Sequence, residues 1–218
     1  MIKLQLLFIS VVFLLIGTGC ITAQNTGKPA NELSDSESFK KASEWVASLS
    51  LNDPEKEKRV TGVVYTHLAA IKTWHNEHPA STVPEGINPV TGNRLSELER
   101  QVIADSAMPD SIHKNLMAGL RKDLPEEQVE LVLDKYTVGK VAFTMKGYHA
   151  IVPDLTAEEE KTILGFLEQA REMAVDYKSM KEISAIFEIY KTKSEQYLIS
   201  KSRNWRALYK AYVDSVKK

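Results

Sequence analysis

The sequence predicts an all-α protein: one compact helical domain of about seven to eight helices behind a signal peptide. Three observations carry this. Apolar residues recur at three-and-four spacing through most of the chain. Helix-start signatures repeat at Asp53-Pro54, Thr156/Glu159, Ser179/Glu182 and Asn204. The β-branched stretch Tyr136 to Phe143 has no second strand to pair with, so it too is expected to be helical.

Taken in order, residues 1–23 read as a secretory signal. Lys3 is followed by the apolar run Leu4 to Ile16 and small residues at Gly17, Thr18 and Gly19, too short for a spanning helix. Cleavage after Ala23 is expected. The alternative is a lipobox-like cut before Cys20 in Gly17-Thr18-Gly19-Cys20, which would leave a lipid anchor on that cysteine. Residues 24–35, rich in Asn, Ser, Gly and Pro, are expected to form a flexible leader, and residues 36–218 the helical domain. The expected setting is periplasmic or secreted, with an outer-membrane lipoprotein as the variant.

The first helix carries Phe39, Ala42, Trp45, Val46 and Leu49 on one face. Asp53 caps the second, Pro54 opens it, and Val60, Val64, His67, Ile71 and Trp74 line one side until Pro79 ends it. Ala80 to Gly92 is the longest irregular stretch, and long loops in compact domains are often functional. Shorter helices follow on Leu95 to Ile103, from Pro109 through Leu120, and from Pro125. Three C-terminal helices start at the caps named above.

Composition excludes several classes. With 28 basic and 29 acidic residues well mixed, the chain has no basic stripe for phosphates, so nucleic acid is not an expected partner. No second apolar run of membrane length follows the signal. The single cysteine lies in the signal region, which leaves the folded part without a disulfide, thiolate metal site or cysteine nucleophile. Phosphate loop, nucleophile elbow, zinc-protease and calcium-loop motifs are absent. No metal or cofactor is expected.

Two clusters are candidate ligand sites. Trp74, His75 and His78 end the second helix beside the long loop, where a tryptophan can stack on a sugar ring and histidines can bond its hydroxyls. His75 and His78 have the spacing to share a metal with a distant carboxylate, but no second half of such a site is recognisable, and a packed face ending in a solvated helix terminus is the simpler explanation. Four-residue steps put Tyr136, Lys140, Thr144 and Tyr148 on one helical stripe, placing a lysine beside tyrosines for acid–base work on a uronate. The alternative is a packed face with polar tips. Tyr190, Tyr197, Trp205, Tyr209 and Tyr212 are at helical spacing and are expected in the core.

The runs Asp134-Lys135-Tyr136-Thr137-Val138-Gly139-Lys140-Val141, Tyr148-His149-Ala150-Ile151-Val152-Pro153-Asp154-Leu155-Thr156, Glu168-Gln169-Ala170-Arg171-Glu172, Ile186-Phe187-Glu188-Ile189-Tyr190-Lys191 and Tyr197-Leu198 resemble an uncharacterised family, the domain of unknown function 3826, secreted proteins of Bacteroidota. The resemblance covers nearly the whole mature chain. It implies a helical fold and a periplasmic setting, beside genes that break down plant polysaccharides, and it carries no catalytic residues. It points to an accessory or binding protein of pectin-type polysaccharide use, with an oligosaccharide as partner. The alternatives are a small lyase or hydrolase acting on acidic plant oligosaccharides, and a periplasmic chaperone, since Leu124-Pro125-Glu126-Glu127-Gln128 and Leu155-Thr156-Ala157-Glu158-Glu159 approach a chaperone motif.

Overall fold

The computed structural model of the chain describes residues 30–217, in which nine α-helices follow one another: α1 (Ala30–Ala47), α2 (Pro54–Glu77), α3 (Glu97–Ser106), α4 (Asp110–Asp123), α5 (Glu126–Thr137), α6 (Lys140–Ile151), α7 (Ala157–Ala174), α8 (Met180–Ser200) and α9 (Trp205–Val216). The signal segment 1–23, Cys20 with its possible lipid, and residues 24–29 of the expected leader lie outside the described residues. α1 begins inside the stretch expected as a leader.

The predicted helix starts are where the sequence put them. Asp53 accepts from Lys56 N at 3.0 Å, with Pro54 as the first helical residue. Thr156/Glu159 and Ser179/Glu182 form reciprocal capping boxes, and Asn204 accepts from Ala207 N. A further box outside the expected set, Ser96/Glu99, starts α3. Each satisfies amide donors that the first helical turn leaves unpaired.

One expected helix is interrupted. α5 ends at Thr137, and Val138 (φ 54°) and Gly139 (φ 65°) both adopt the left-handed conformation before α6 begins. Two consecutive left-handed residues break the helix, so Tyr136 lies on α5 while Lys140 and Tyr148 lie on α6, and the three do not share one helical stripe. The long loop is also more ordered than its composition suggested. A 3-10 turn at Ala80–Thr82 leads into a small hairpin pairing Ile87 with Arg94, closed by Gly92 at φ 71° and by Asn88 Oδ1, which accepts from Val90 N and Thr91 N. Arg100 of α3 donates twice to Val83 O, tying the loop to α3.

The apolar interior forms two clusters. Val46 of α1, Val60 and Val64 of α2, Leu116 and Leu120 of α4, and Val129 and Val132 of α5 fill the first. Ile163 and Leu167 of α7, with Ile186, Phe187 and Leu198 of α8, fill the second, which α6 and α9 cover. Arg171 of α7 donates to Asp134 of α5 at 2.9 Å, linking the two. Where α2, α4 and the α7–α8 turn meet, the interior turns polar.

Candidate functional site

Three of the chain's five histidines gather at this polar seam with four carboxylates. Asp176, in the turn after α7, holds two of them. Its Oδ1 lies 3.0 Å from His67 Nε2 and its Oδ2 lies 2.9 Å from His113 Nδ1. His67 is buried, and its Nδ1 meets the Tyr136 hydroxyl at 3.1 Å. The partners fix the tautomer: Tyr136 O–H donates to Nδ1, and Nε2–H donates to the carboxylate. Burial pushes the Tyr136 hydroxyl well above its ordinary range, and the Asp176 charge adds to the effect, so it stays a donor.

His113 is the open member. Its side chain is one-quarter exposed and lines a cavity of about 460 Å³, with Nε2 facing Glu172 Oε1 at 3.6 Å. The hydrogen bond that its Nδ1–H donates to Asp176 raises its pKa, with partial burial opposing and Glu172 adding to the rise. Burial alone would push the Asp176 carboxyl up, but the two imidazoles overcome it and hold the carboxyl below its ordinary range. An imidazole gripped at Nδ1 by a carboxylate presents Nε2 as a proton acceptor or donor, the arrangement that acid–base chemistry requires.

The seam continues through Tyr177, which also lines the cavity. Burial and the charges of Asp105, Asp176 and Glu182 push its hydroxyl up to about 12. Beyond it, His75 Nδ1 lies 3.0 Å from Asp105 Oδ2 and 3.7 Å from Glu182 Oε1.

The six residues expected in two clusters are distributed over several places. His75 enters the seam, and Tyr136 enters it through His67. Trp74 donates its indole N–H to Ala104 O at 3.1 Å and stacks on His78 at 3.6 Å between centroids; His78 Nδ1 in turn lies 2.9 Å from Trp74 O. Lys140 lies over the Phe187 ring, 5.8 Å from its centroid. Tyr148 is buried, its hydroxyl donating to Lys191 O.

Tyr148 forms part of the wall of a groove of about 800 Å³ between α6, α8 and α9, with Phe143, Trp205, Tyr209 and Tyr212 along it and Glu188, Lys191 and Glu195 from α8. Trp205 and Tyr209 stack at 6.1 Å. Tyr190, Tyr197 and Trp205 pack against the second cluster as expected, but for the outer part of α9 the expectation of core aromatics is corrected. α9 has no fully buried residue and Tyr209 is 50% exposed, because α9 covers the second cluster from outside. Burial pushes the Glu195 carboxyl up, Glu188 adds to this and Lys191 opposes it.

Sequence reasoning missed Asp105, His113, Glu172, Asp176, Tyr177 and Glu182 as site residues. One signal was available for two of them. Asp105 continues the apolar stripe of Leu98 and Val102, and His113 continues that of Leu116 and Leu120. An ionisable group on a buried face demands a partner.

Among the described residues no helix is long and apolar enough to cross a membrane. A search of curated proteins returns no match to the chain. Residues 36–218 match the model of the family described as protein of unknown function, DUF3826, and the chain belongs to that family.

Proposed function

We propose that the protein is a secreted, carbohydrate-handling enzyme that cleaves oligosaccharides by acid–base hydrolysis at the histidine–carboxylate seam. The observation that carries this reading is Asp176 gripping one buried and one cavity-facing imidazole. The Glu172 carboxylate, beside His113 Nε2, takes a proton from an attacking water whose oxygen bonds to the sugar carbon. The glycosidic C–O bond breaks, and the departing oxygen takes the proton from His113 Nε2–H, whose charged form Asp176 favours. Asp176 keeps Nδ1 protonated and stabilises the imidazolium. His67 and Tyr136 hold Asp176 from behind.

The lining favours a neutral sugar. Asp105, Asp110, Glu172 and Asp176 surround His113 and Lys114, so a uronate would meet repulsion while sugar hydroxyls would find acceptors. The rings of Tyr177 and Tyr190 and the thioethers of Met108 and Met173 supply apolar walls. Polysaccharide use and a location outside the cytoplasm are parts of the same proposal, supported by the N-terminal segment and by the family resemblance.

A second reading, an accessory protein that binds glycans without cleaving them, is favoured by the aromatic groove along α9, where the partly buried Trp205 and the half-exposed Tyr209 stacked on it offer a sugar-stacking surface. One experiment separates the two. The protein is incubated with neutral and acidic plant oligosaccharides, and binding heat and new reducing ends are recorded. The enzyme reading expects new reducing ends, reduced about 100-fold or more in His113→Gln and Asp176→Asn. Binding without cleavage, lost in Trp205→Ala and kept in His113→Gln, would replace it with the accessory reading.

A further inference from the structure

His75 of α2, Asp105 of α3 and Glu182 of α8 each bring one ligand atom to a common point, all within 4.8 Å of one another. Both carboxylates are buried, each residue only 4% exposed. Each has one oxygen already bonded. Gln101 Nε2 donates to Asp105 Oδ1 at 3.1 Å, and the Ser179 amide donates to Glu182 Oε2 at 2.9 Å. The remaining oxygens, Asp105 Oδ2 and Glu182 Oε1, face the same imidazole nitrogen. His75 Nδ1 sits 3.0 Å from the first and 3.7 Å from the second, so Glu182 Oε1 is left beyond hydrogen-bonding distance.

The charges do not balance. Among the described residues neither carboxylate has a lysine or arginine within ion-pair distance. Two buried negative charges therefore face one imidazole, and buried charge without a partner is costly. A divalent cation in place of the shared proton would satisfy all three groups at once, with a neutral His75 Nδ1 and one oxygen from each carboxylate as ligands.

We propose that His75, Asp105 and Glu182 form a binding site for a divalent transition metal, with Zn²⁺ or Mn²⁺ as the fitting ions. One nitrogen and two oxygens suit ions bound at about 2.0–2.2 Å and suit Ca²⁺ poorly, which takes six to eight oxygens. The outer support is already built: Gln101, itself tied to His78 O at 3.0 Å, and the Ser179 amide orient the two carboxylates. Three protein ligands leave coordination positions free, and Asp105 lines the cavity. The sequence paired His75 with His78 and expected no metal. The geometry instead gives His75 two carboxylates from other helices and engages His78 with Trp74. The site stands on its own residues, whether or not the seam cleaves a sugar.

The test is metal binding by the purified protein after chelator treatment and dialysis. Titration with ZnCl₂ or MnCl₂ followed by calorimetry is expected to show about one ion per chain, with CaCl₂ at least 10-fold weaker. Glu182→Gln, which keeps an acceptor for the Ser179 amide, and Asp105→Asn should each weaken Zn²⁺ binding at least 10-fold while the metal-free proteins keep their helical circular dichroism. If a variant fails to fold, Mn²⁺-induced line broadening in the unaltered protein decides, and the His75 ring signals should broaden before those of His113 and His149. Stoichiometry far below one, binding unchanged in the folded variants, or broadening centred on His149 would overturn the proposal.

Discussion

Replacing Gly119 by alanine tests the packing that holds the seam together. Gly119 on α4 faces Val63 on α2, and an added Cβ would lie 2.7 Å from Val63 Cγ2, 2.8 Å from Cγ1 and 3.4 Å from Cβ. Rotating Val63 exchanges one γ-carbon for the other, so relief requires the helices to part by about 0.7 Å to bring the nearest contact to 3.4 Å. Overpacking of this kind costs about 1–3 kcal/mol, and replacing a helical glycine by alanine returns about 1 kcal/mol. A net loss of about 1 kcal/mol is expected. Gly165→Ala in α7, where nothing lies within 4 Å, is the control and should gain about 0.5–1 kcal/mol. The two variants should therefore differ in Tm by roughly 3–8 °C at this chain length. Val63 precedes His67 by one turn and Gly119 follows His113 on α4, so parting α2 from α4 also stretches the two imidazole contacts to Asp176. Urea unfolding followed by circular dichroism measures stability, and NMR titration of the His113 ring measures the contact. His113 should titrate closer to the ordinary imidazole range in Gly119→Ala, and adding Val63→Ala should recover about 1 kcal/mol of coupling. If Gly119→Ala is as stable as Gly165→Ala, or Val63→Ala fails to rescue it, the close approach of α2 and α4 does not limit packing.

Other outcomes follow from the same geometry. His113 should titrate above about 6.5 because Asp176 favours its charged form; the stability this brings is complete below that pH and is lost as pH rises through the raised value. Asp176→Asn should remove that pH dependence, and an unchanged His113 midpoint would refute the pairing. Arg203 donates to both Glu159 oxygens, at 2.9 and 2.8 Å, and holds that carboxyl at about 2, so its stabilisation is present above the ordinary glutamate range and disappears as pH falls through about 2. Arg203→Met should raise the midpoint of acid unfolding, and superimposable acid curves would count against the clamp. Val138→Gly should stabilise the protein by about 1 kcal/mol, since a β-branched residue at φ 54° is strained and Val138, 72% exposed, loses little packing. A destabilised Val138→Gly would show that the valine is held by contacts instead.

Much of the fold was legible because helix ends are local. Asp53-Pro54, Thr156/Glu159 and Ser179/Glu182 each declare themselves within four residues. The break at Val138 was not legible, since valine carries no left-handed preference and Gly139 alone reads as a tolerated helical glycine. The site was less legible for a different reason. Asp176 joins His67 and His113 across 109 and 63 residues of chain, and no periodicity reaches so far. Glu182 was hidden by its own usefulness: one oxygen makes the capping box that the sequence announces, while the other points into the seam. The periodicity that placed Trp205, Tyr209 and Tyr212 on a stripe was sound, but the width of that stripe does not reveal that α9 covers the second cluster from outside.

The left-handed pair Val138–Gly139 marks where the molecule can be divided. The exposed joint separates the α1–α5 segment from the α6–α9 segment in sequence, while the seam needs both: His67, His75, Asp105 and His113 precede the joint, and Asp176 and Glu182 follow it. Two fragments made by cutting there would each keep their helices' apolar faces intact for reassociation. Neither fragment alone would hold a complete histidine–carboxylate centre. Fragment complementation at this point would therefore couple reassembly directly to the return of the centre, with the His113 titration as its reporter.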